Sequence, residues 1–242
     1  MITGSSRVGV RHPVTVYESH VTVLCGGDEL GRLERWAARR GGVKFTHIEL
    51  ARGRTSSQPM LTLCGSRASY ADEVSAVNDM VGQLARDGFA VARVKVECAP
   101  WAAEVPRGGG EVSAVGGDGP AAGRDVQAAE GDGPAAGAGR GGRHFEHHVK
   151  LLLDPAYDRE ALVALAVRHG AHVSRNARRR REDGREERFV TQRCHDGGSV
   201  RAELVLDALL ADLRRYEVVH VEREYVLLDS GPQLDEGWLG SA

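Results

Sequence analysis

The chain reads as an α+β protein: a tandem duplication of a ferredoxin-like β-α-β-β-α-β unit whose two antiparallel sheets face a central groove. Three observations predict this. A Gly/Ala-rich stretch divides the chain, and residues on its two sides recur at a nearly constant offset. Each side also passes through strand-like and helix-like periodicity in the same order.

The divider is residues 106–143, with 13 glycines in 38 positions. The heptamer Gly-Asp-Gly-Pro-Ala-Ala-Gly occurs at 117–123 and again at 131–137. So little apolar surface cannot offset the entropy of ordering the backbone, so the segment is expected to be a disordered linker. The expected domains are a first repeat at 14–105, a second at 144–230 and a C-terminal tail at 231–242. Trp238 in that tail is expected to dock on the first repeat.

The repeats align residue by residue. Glu18-Ser19-His20-Val21 matches Glu146-His147-His148-Val149 at an offset of 128. Arg39 and Gly41 match Arg168 and Gly170, and Thr62 matches Thr191, at 129. Val94 and Glu97 match Val221 and Glu224 at 127. The elements then follow in order. Tyr17–Leu24 and Phe145–Leu153 read as strands. Asp28–Arg40 and Ala156–His169 carry apolar residues at helical spacing and end near a glycine. Val43–Ala51 with Met60–Cys64, and Ala171–Arg175 with Glu187–Cys194, read as strand pairs. Glu73–Asp87 and Val200–Tyr216 read as helices, and Ala90–Cys98 and Val218–Leu228 as closing strands. That order predicts two helices on one face of each sheet.

Side chains alternate across a strand. Glu18, His20 and Thr22 therefore share one face while Val21 and Val23 share the other; Glu146, His148 and Lys150 oppose Val149 and Leu151. The closing strands align Arg93, Lys95 and Glu97, and His220, Glu222 and Glu224. If the valines lie under the helices, the polar stripes face the groove and bring His20 and His148 together about an approximate two-fold axis. Clustered titratable groups in a cleft are a functional-site signal. One sheet face turned to water would produce the same alternation.

Composition narrows the classes. Hydrophobic residues make up 41% and aromatics 5% of 242 positions, so the cores are mostly Val, Leu and Ala. The net charge of −2 provides no global field for nucleic acid. No apolar run suits a membrane span, and Met1–His12 lacks a signal-peptide stretch. Cys25, Cys64, Cys98 and Cys194 form no C-x-x-C pair and are expected to be free thiols in a cytoplasmic protein.

His20-Val21-Thr22-Val23 has the H-x-T-x form and resembles the 2H phosphoesterase superfamily, whose two related lobes surround a groove. The resemblance implies that His20 and His148 act as general acid and base and that Thr22 binds phosphate. In the second motif Lys150 stands where threonine is expected, leaving it as a point charge for phosphate. The implied function is phosphoesterase-like chemistry on nucleotide or RNA-end phosphates, as in a cyclic phosphodiesterase-type hydrolase. A non-catalytic module binding an anionic small molecule or a protein partner is the alternative, and burial of the open faces in a larger assembly is a third. Glu146-x-His148-x-Lys150 also resembles a degenerate E-x-E-x-K strand of the CYTH triphosphate-tunnel proteins, in which acids hold a divalent metal; His148 replaces a key carboxylate here.

Around the groove, Arg54, Arg178 and Arg193 are candidate phosphate contacts, and Glu18, Glu146, Lys95, Glu97, Glu222 and Glu224 are expected to support it. Residues 175–188 carry seven arginines and four acids with no interleaved aromatic stacking platform. A metal is not expected, because His147 and His148 are adjacent in a strand and point opposite ways. No cofactor and no membrane partner are expected. Neither a P-loop nor a nucleophile elbow is present.

Overall fold

The computed structural model describes residues 16–106 and 142–237. The first half runs β1 (Val16–Leu24), α1 (Asp28–Ala38), β2 (Val43–Leu50), β3 (Ser57–Ser66), α2 (Tyr70–Arg86) and β4 (Ala90–Cys98). The second runs β5 (His144–Leu153), α3 (Arg159–Arg168), β6 (Ala171–Asn176), β7 (Glu186–Cys194), α4 (Ser199–Asp212) and β8 (Glu217–Asp229). A 3₁₀ turn at Leu213–Arg215 extends α4, and another at Pro232–Asp235 follows β8. Most of the expected linker at 106–143, and Trp238 with its expected docking, lie outside the described residues.

The arrangement of the sheets differs from the expectation. The strands do not form two sheets across a groove. They form one closed antiparallel barrel in the order β1-β3-β2-β6-β7-β5-β8-β4. Edge strand β2 pairs with β6 through Ile48↔Asn176 to Leu50↔Ser174, and β4 pairs with β8 through Lys95↔Asp229 to Cys98↔Tyr225. The reason is edge chemistry. Each four-stranded sheet would leave two rows of unpaired N–H and C=O groups, and joining the sheets at both edges pairs part of each row. The expected groove is thus the lumen of a barrel.

Helices cover the outside. Val21, Val23, Val94 and Val96 pack with Leu33 and Trp36 of α1 and Val77, Met80 and Leu84 of α2. Val149, Leu151 and Val190 pack with Leu162 and Leu165 of α3 and Leu206 and Leu209 of α4. A third cluster contains Tyr17, Cys98, Phe145, Tyr225 and Leu227, so apolar packing crosses the β4–β8 seam. Among the described residues no helix is long and apolar enough to cross a membrane. All four cysteines are free thiols.

Helix starts depend on caps. α2 begins three residues before the apolar spacing indicates, because the Ser69 hydroxyl accepts from the Asp72 N–H at 3.2 Å. Asp158 caps α3 by accepting from the Ala161 N–H at 2.9 Å. Ser69→Ala is expected to cost about 1 kcal/mol, read from the urea midpoint of unfolding; no change would show that the cap is redundant.

Candidate functional site

The inward faces of the strands line a cavity of about 250 Å³ inside the barrel. The β1 register sets which side chains enter it. His20 lies opposite Thr62 on β3 and Lys95 on β4, while Val21 and Val23 turn outward to the helices. On β5, His148 lies opposite Thr191 on β7 and Glu222 on β8. A polar lumen inside an apolar jacket follows from strict strand alternation.

The same constellation is built twice. His20 Nδ1 lies 3.0 Å from the Thr62 hydroxyl and Nε2 lies 2.9 Å from Glu97. His148 Nδ1 lies 2.9 Å from the Thr191 hydroxyl and Nε2 lies 3.0 Å from Glu224. Each imidazole is thus fixed between a hydroxyl on one neighbouring wall and a carboxylate on another, the hydrogen-bond logic of a Glu–His–hydroxyl relay. The two sets meet. Ligand atoms of Glu18, His20 and Glu224 lie within 4.8 Å of one another, as do those of Glu97, His148 and Glu224. Both histidines therefore converge on Glu224.

Basic side chains sit among these acids. Lys95 Nζ bridges Glu97 at 2.5 Å and Glu146 at 2.8 Å. Arg193 contacts Glu146 at 2.9 Å and Asp235 at 2.5 Å. Arg93 holds Asp229 through two hydrogen bonds, at 2.8 and 2.5 Å, and reaches Asp235 at 3.0 Å.

This crowding separates the titrations. Burial favours a neutral Glu97, but Lys95 and His20 hold its carboxyl well below the usual range. Lys95 and Arg193 likewise outweigh burial at Glu146 and hold it low. Glu224 goes the other way: burial and the nearby Glu97 charge push it up to about 7. Burial opposes charging His148, yet its hydrogen bond to Glu224 and the Glu224 and Glu146 charges raise it to about 9. His20 is raised too, with Glu97 overcoming burial. His172, also on the cavity wall, is held well below the usual range by burial and the Arg193 charge. The site contains acids of unlike strength side by side, the condition for assigning acid and base roles. Its oxygen and nitrogen donors at Glu18, His20, Glu97, His148 and Glu224 also suit a divalent cation, with Lys95 as the competing charge beside Glu97.

The residues expected at the site divide into two groups. Glu18, His20, Thr22, Lys95, Glu146, His148, Arg193, Glu222 and Glu224 line the cavity, and Glu97 is buried beside them. Three expected phosphate contacts sit elsewhere. Arg54 is exposed and paired with Glu236 at 2.9 Å; Arg178 is paired with Glu34 at 2.5 Å, on the outer helix α1; Lys150 is paired with Glu187 at 3.0 Å and is not on the cavity wall. Thr62, Thr191 and His172 were not expected. The threonines carried a signal, since they match at the repeat offset and lie opposite the histidines. Arg93 carried one too, as it shares the stripe of Lys95 and Glu97. Asp229 and Asp235 carried none: a register shift in the β4–β8 ladder brings Asp229 opposite Lys95, and Asp235 reaches Arg93 and Arg193 only through the path taken after β8.

No family model and no curated protein matches the chain. Similar solved structures include two variants of chlorite dismutase from Candidatus Nitrospira defluvii. Each is 12% identical and covers 87% of this chain and 90% of that chain, at TM-scores of 0.25 and 0.26. Similarity at that level carries no argument about the chemistry of this lumen.

Proposed function

We propose that the lumen acts on a small phosphate ester, of the nucleotide or RNA-end class, by acid/base chemistry of His20 and His148. The reading rests on one observation above the rest: two Glu–His–Thr relays on separate walls converge on Glu224 in one cavity. A protonated His148 donates from Nε2 to Glu224 and from Nδ1 to Thr191, which leaves the threonine O–H to donate to an oxyanion. His20, Glu97 and Thr62 repeat the arrangement on the other wall. Lys95 and Arg193 supply positive charge where a phosphate would sit. Glu224, near neutrality, can take up the Nε2 proton of His148 to which it is hydrogen-bonded.

The expected result is hydrolysis of a 2′,3′-cyclic nucleotide by the full chain, reduced about 10²–10⁴-fold in His20→Ala and in His148→Ala, with near-UV circular dichroism retained. Turnover indifferent to both substitutions would remove the catalytic reading.

A second reading, a binder without turnover, is favoured by a separate observation. Both nitrogens of both imidazoles already have protein partners. Saturable binding of the cyclic nucleotide, with no product over long incubation, would select it.

A further inference from the structure

We infer that Arg93 and Arg193 form a phosphate subsite at one mouth of the barrel, and that the chain's own Asp235 occupies it as a displaceable stand-in. The inference rests on the reading that the lumen takes an anionic guest, but not on histidine catalysis.

The path of the chain carries the argument. β8 ends at Asp229, beside β4. The backbone then leaves the sheet. Ser230 stays tied to Val94 by two hydrogen bonds, its hydroxyl accepting from the Val94 N–H at 2.8 Å and its N–H donating to the Val94 carbonyl at 2.9 Å. At Gly231 the chain passes so close to β4 that an added Cβ would stand 2.8 Å from the Ala92 carbonyl oxygen. By Glu236 it is on the loop between β2 and β3: the Arg54 N–H donates to the Glu236 carbonyl at 3.0 Å, and the Arg54 guanidinium pairs with the Glu236 carboxylate. In the strand order, the β2–β6 seam lies opposite the β4–β8 seam. Residues 230–237 are therefore a strap drawn across the mouth.

Asp235 hangs from the middle of this strap into the lumen wall. One carboxylate oxygen takes Arg93 at 3.0 Å and the other takes Arg193 at 2.5 Å. The two guanidiniums come from different halves of the barrel and approach from different sides, a donor arrangement that suits a tetrahedral phosphate as well as a planar carboxylate. Neither arginine depends on Asp235 for neutralisation, since Arg93 keeps Asp229 and Arg193 keeps Glu146. The Asp235 side chain is buried between the two arginines. Burial raises its pKa despite two adjacent arginines, so moving it back to water recovers hydration. An exogenous phosphate can thus replace it without leaving a bare buried charge.

The strap competes with the guest, so apparent affinity is lowered by the fraction of molecules in which the subsite is open. Titration calorimetry of the full chain with inorganic pyrophosphate tests this. Asp235→Asn is expected to bind about ten-fold tighter than wild type, for a subsite open about one-tenth of the time. Arg54→Ala removes the side-chain tie to Glu236 at the far end of the strap, leaves the backbone bond from the residue 54 N–H, and is expected to give a smaller gain in the same direction. Adding Arg193→Gln to Asp235→Asn is expected to abolish the gain. A cooperatively melting Asp235→Asn with wild-type affinity would overturn the inference, as would a gain that survives Arg193→Gln. If Asp235→Asn does not fold, Asp235→Ala takes its place, and wild-type affinity there overturns it. A pyrophosphate gain alongside cyclic-nucleotide turnover indifferent to His20→Ala would sink the catalytic reading alone. Turnover that needs His20, with no gain in Asp235→Asn, would sink this inference alone.

Discussion

Lys95→Ala is expected to destabilise the fold by about 3–5 kcal/mol. The ammonium is buried inside the barrel and is held between two carboxylates, Glu97 and Glu146, that are themselves buried. A buried ion group contributes little net stability against an apolar replacement of the whole group. Removing one member is different, because the others keep their desolvation cost and lose the charge that offset it. Here one deletion strips two carboxylates at once. Glu97 retains His20, and Glu146 retains Arg193 and His144, which keeps the expected loss within that range. The loss should also shrink as pH falls, since protonating Glu97 or Glu146 relieves the uncompensated charge. Urea unfolding at pH 7 and at pH 4.5 measures both effects. A loss under about 1 kcal/mol at pH 7 would mean that water enters the lumen and solvates the carboxylates.

Stability should fall as pH rises from about 6.5 to 9, and His148 and Glu224 are the cause. Both are raised in the folded protein, to about 9 and about 7. A raised group binds its proton more tightly when folded. Its stabilisation is therefore complete below the unfolded pKa and is lost as pH passes through the folded one. For Glu224 the loss runs from about pH 4.3 to about 7, and for His148 from about 6.5 to about 9. The opposing groups are Glu97 and Glu146, held low, and His172, held low by burial; the stabilisation from each is present above its unfolded pKa and is lost as pH drops below it, about 4.3 for the acids and about 6.5 for the imidazole. The optimum should therefore lie near pH 6–7, on the order of the unfolded imidazole pKa. Glu224 and His148 share a hydrogen bond, so the alkaline loss belongs to the pair and is on the order of 3 kcal/mol. Glu224→Gln should remove the Glu224 loss between about pH 5 and 7, so that stability climbs more steeply there than in wild type. Thermal melts across the range report this, and a wild-type melting temperature that climbs from about pH 6.5 to 9 would contradict the assignment.

Local periodicity made much of the wall legible. In Glu18–Val23 and Glu146–Leu151 the alternation separates a valine side that can only be buried under apolar helices from a polar side that cannot. Glu97 and Glu224 were visible because they stand at the repeat offset on strands of the same alternation. Three basic residues were misplaced, for two reasons. Arg54 and Arg178 lie in or beside hairpin loops, where no period-2 rule fixes direction, and each finds a nearby acid instead of the lumen. Lys150 obeys the strand period but sits too far along β5 and is taken by Glu187.

The amino-acid sequence by itself determined the order of strands and helices, and which side of each strand is polar, because both depend on interactions between residues close in the chain. Tertiary structure alone decided that the two sheets close into a barrel, since pairing of β2 with β6 and of β4 with β8 joins edges far apart in sequence whose hydrogen bonds are made by backbone common to every residue. It also decided that Asp235 spans the mouth to reach Arg93 and Arg193. That contact joins positions 142 and 42 residues apart, and it exists only because barrel closure puts both arginines beneath the strap.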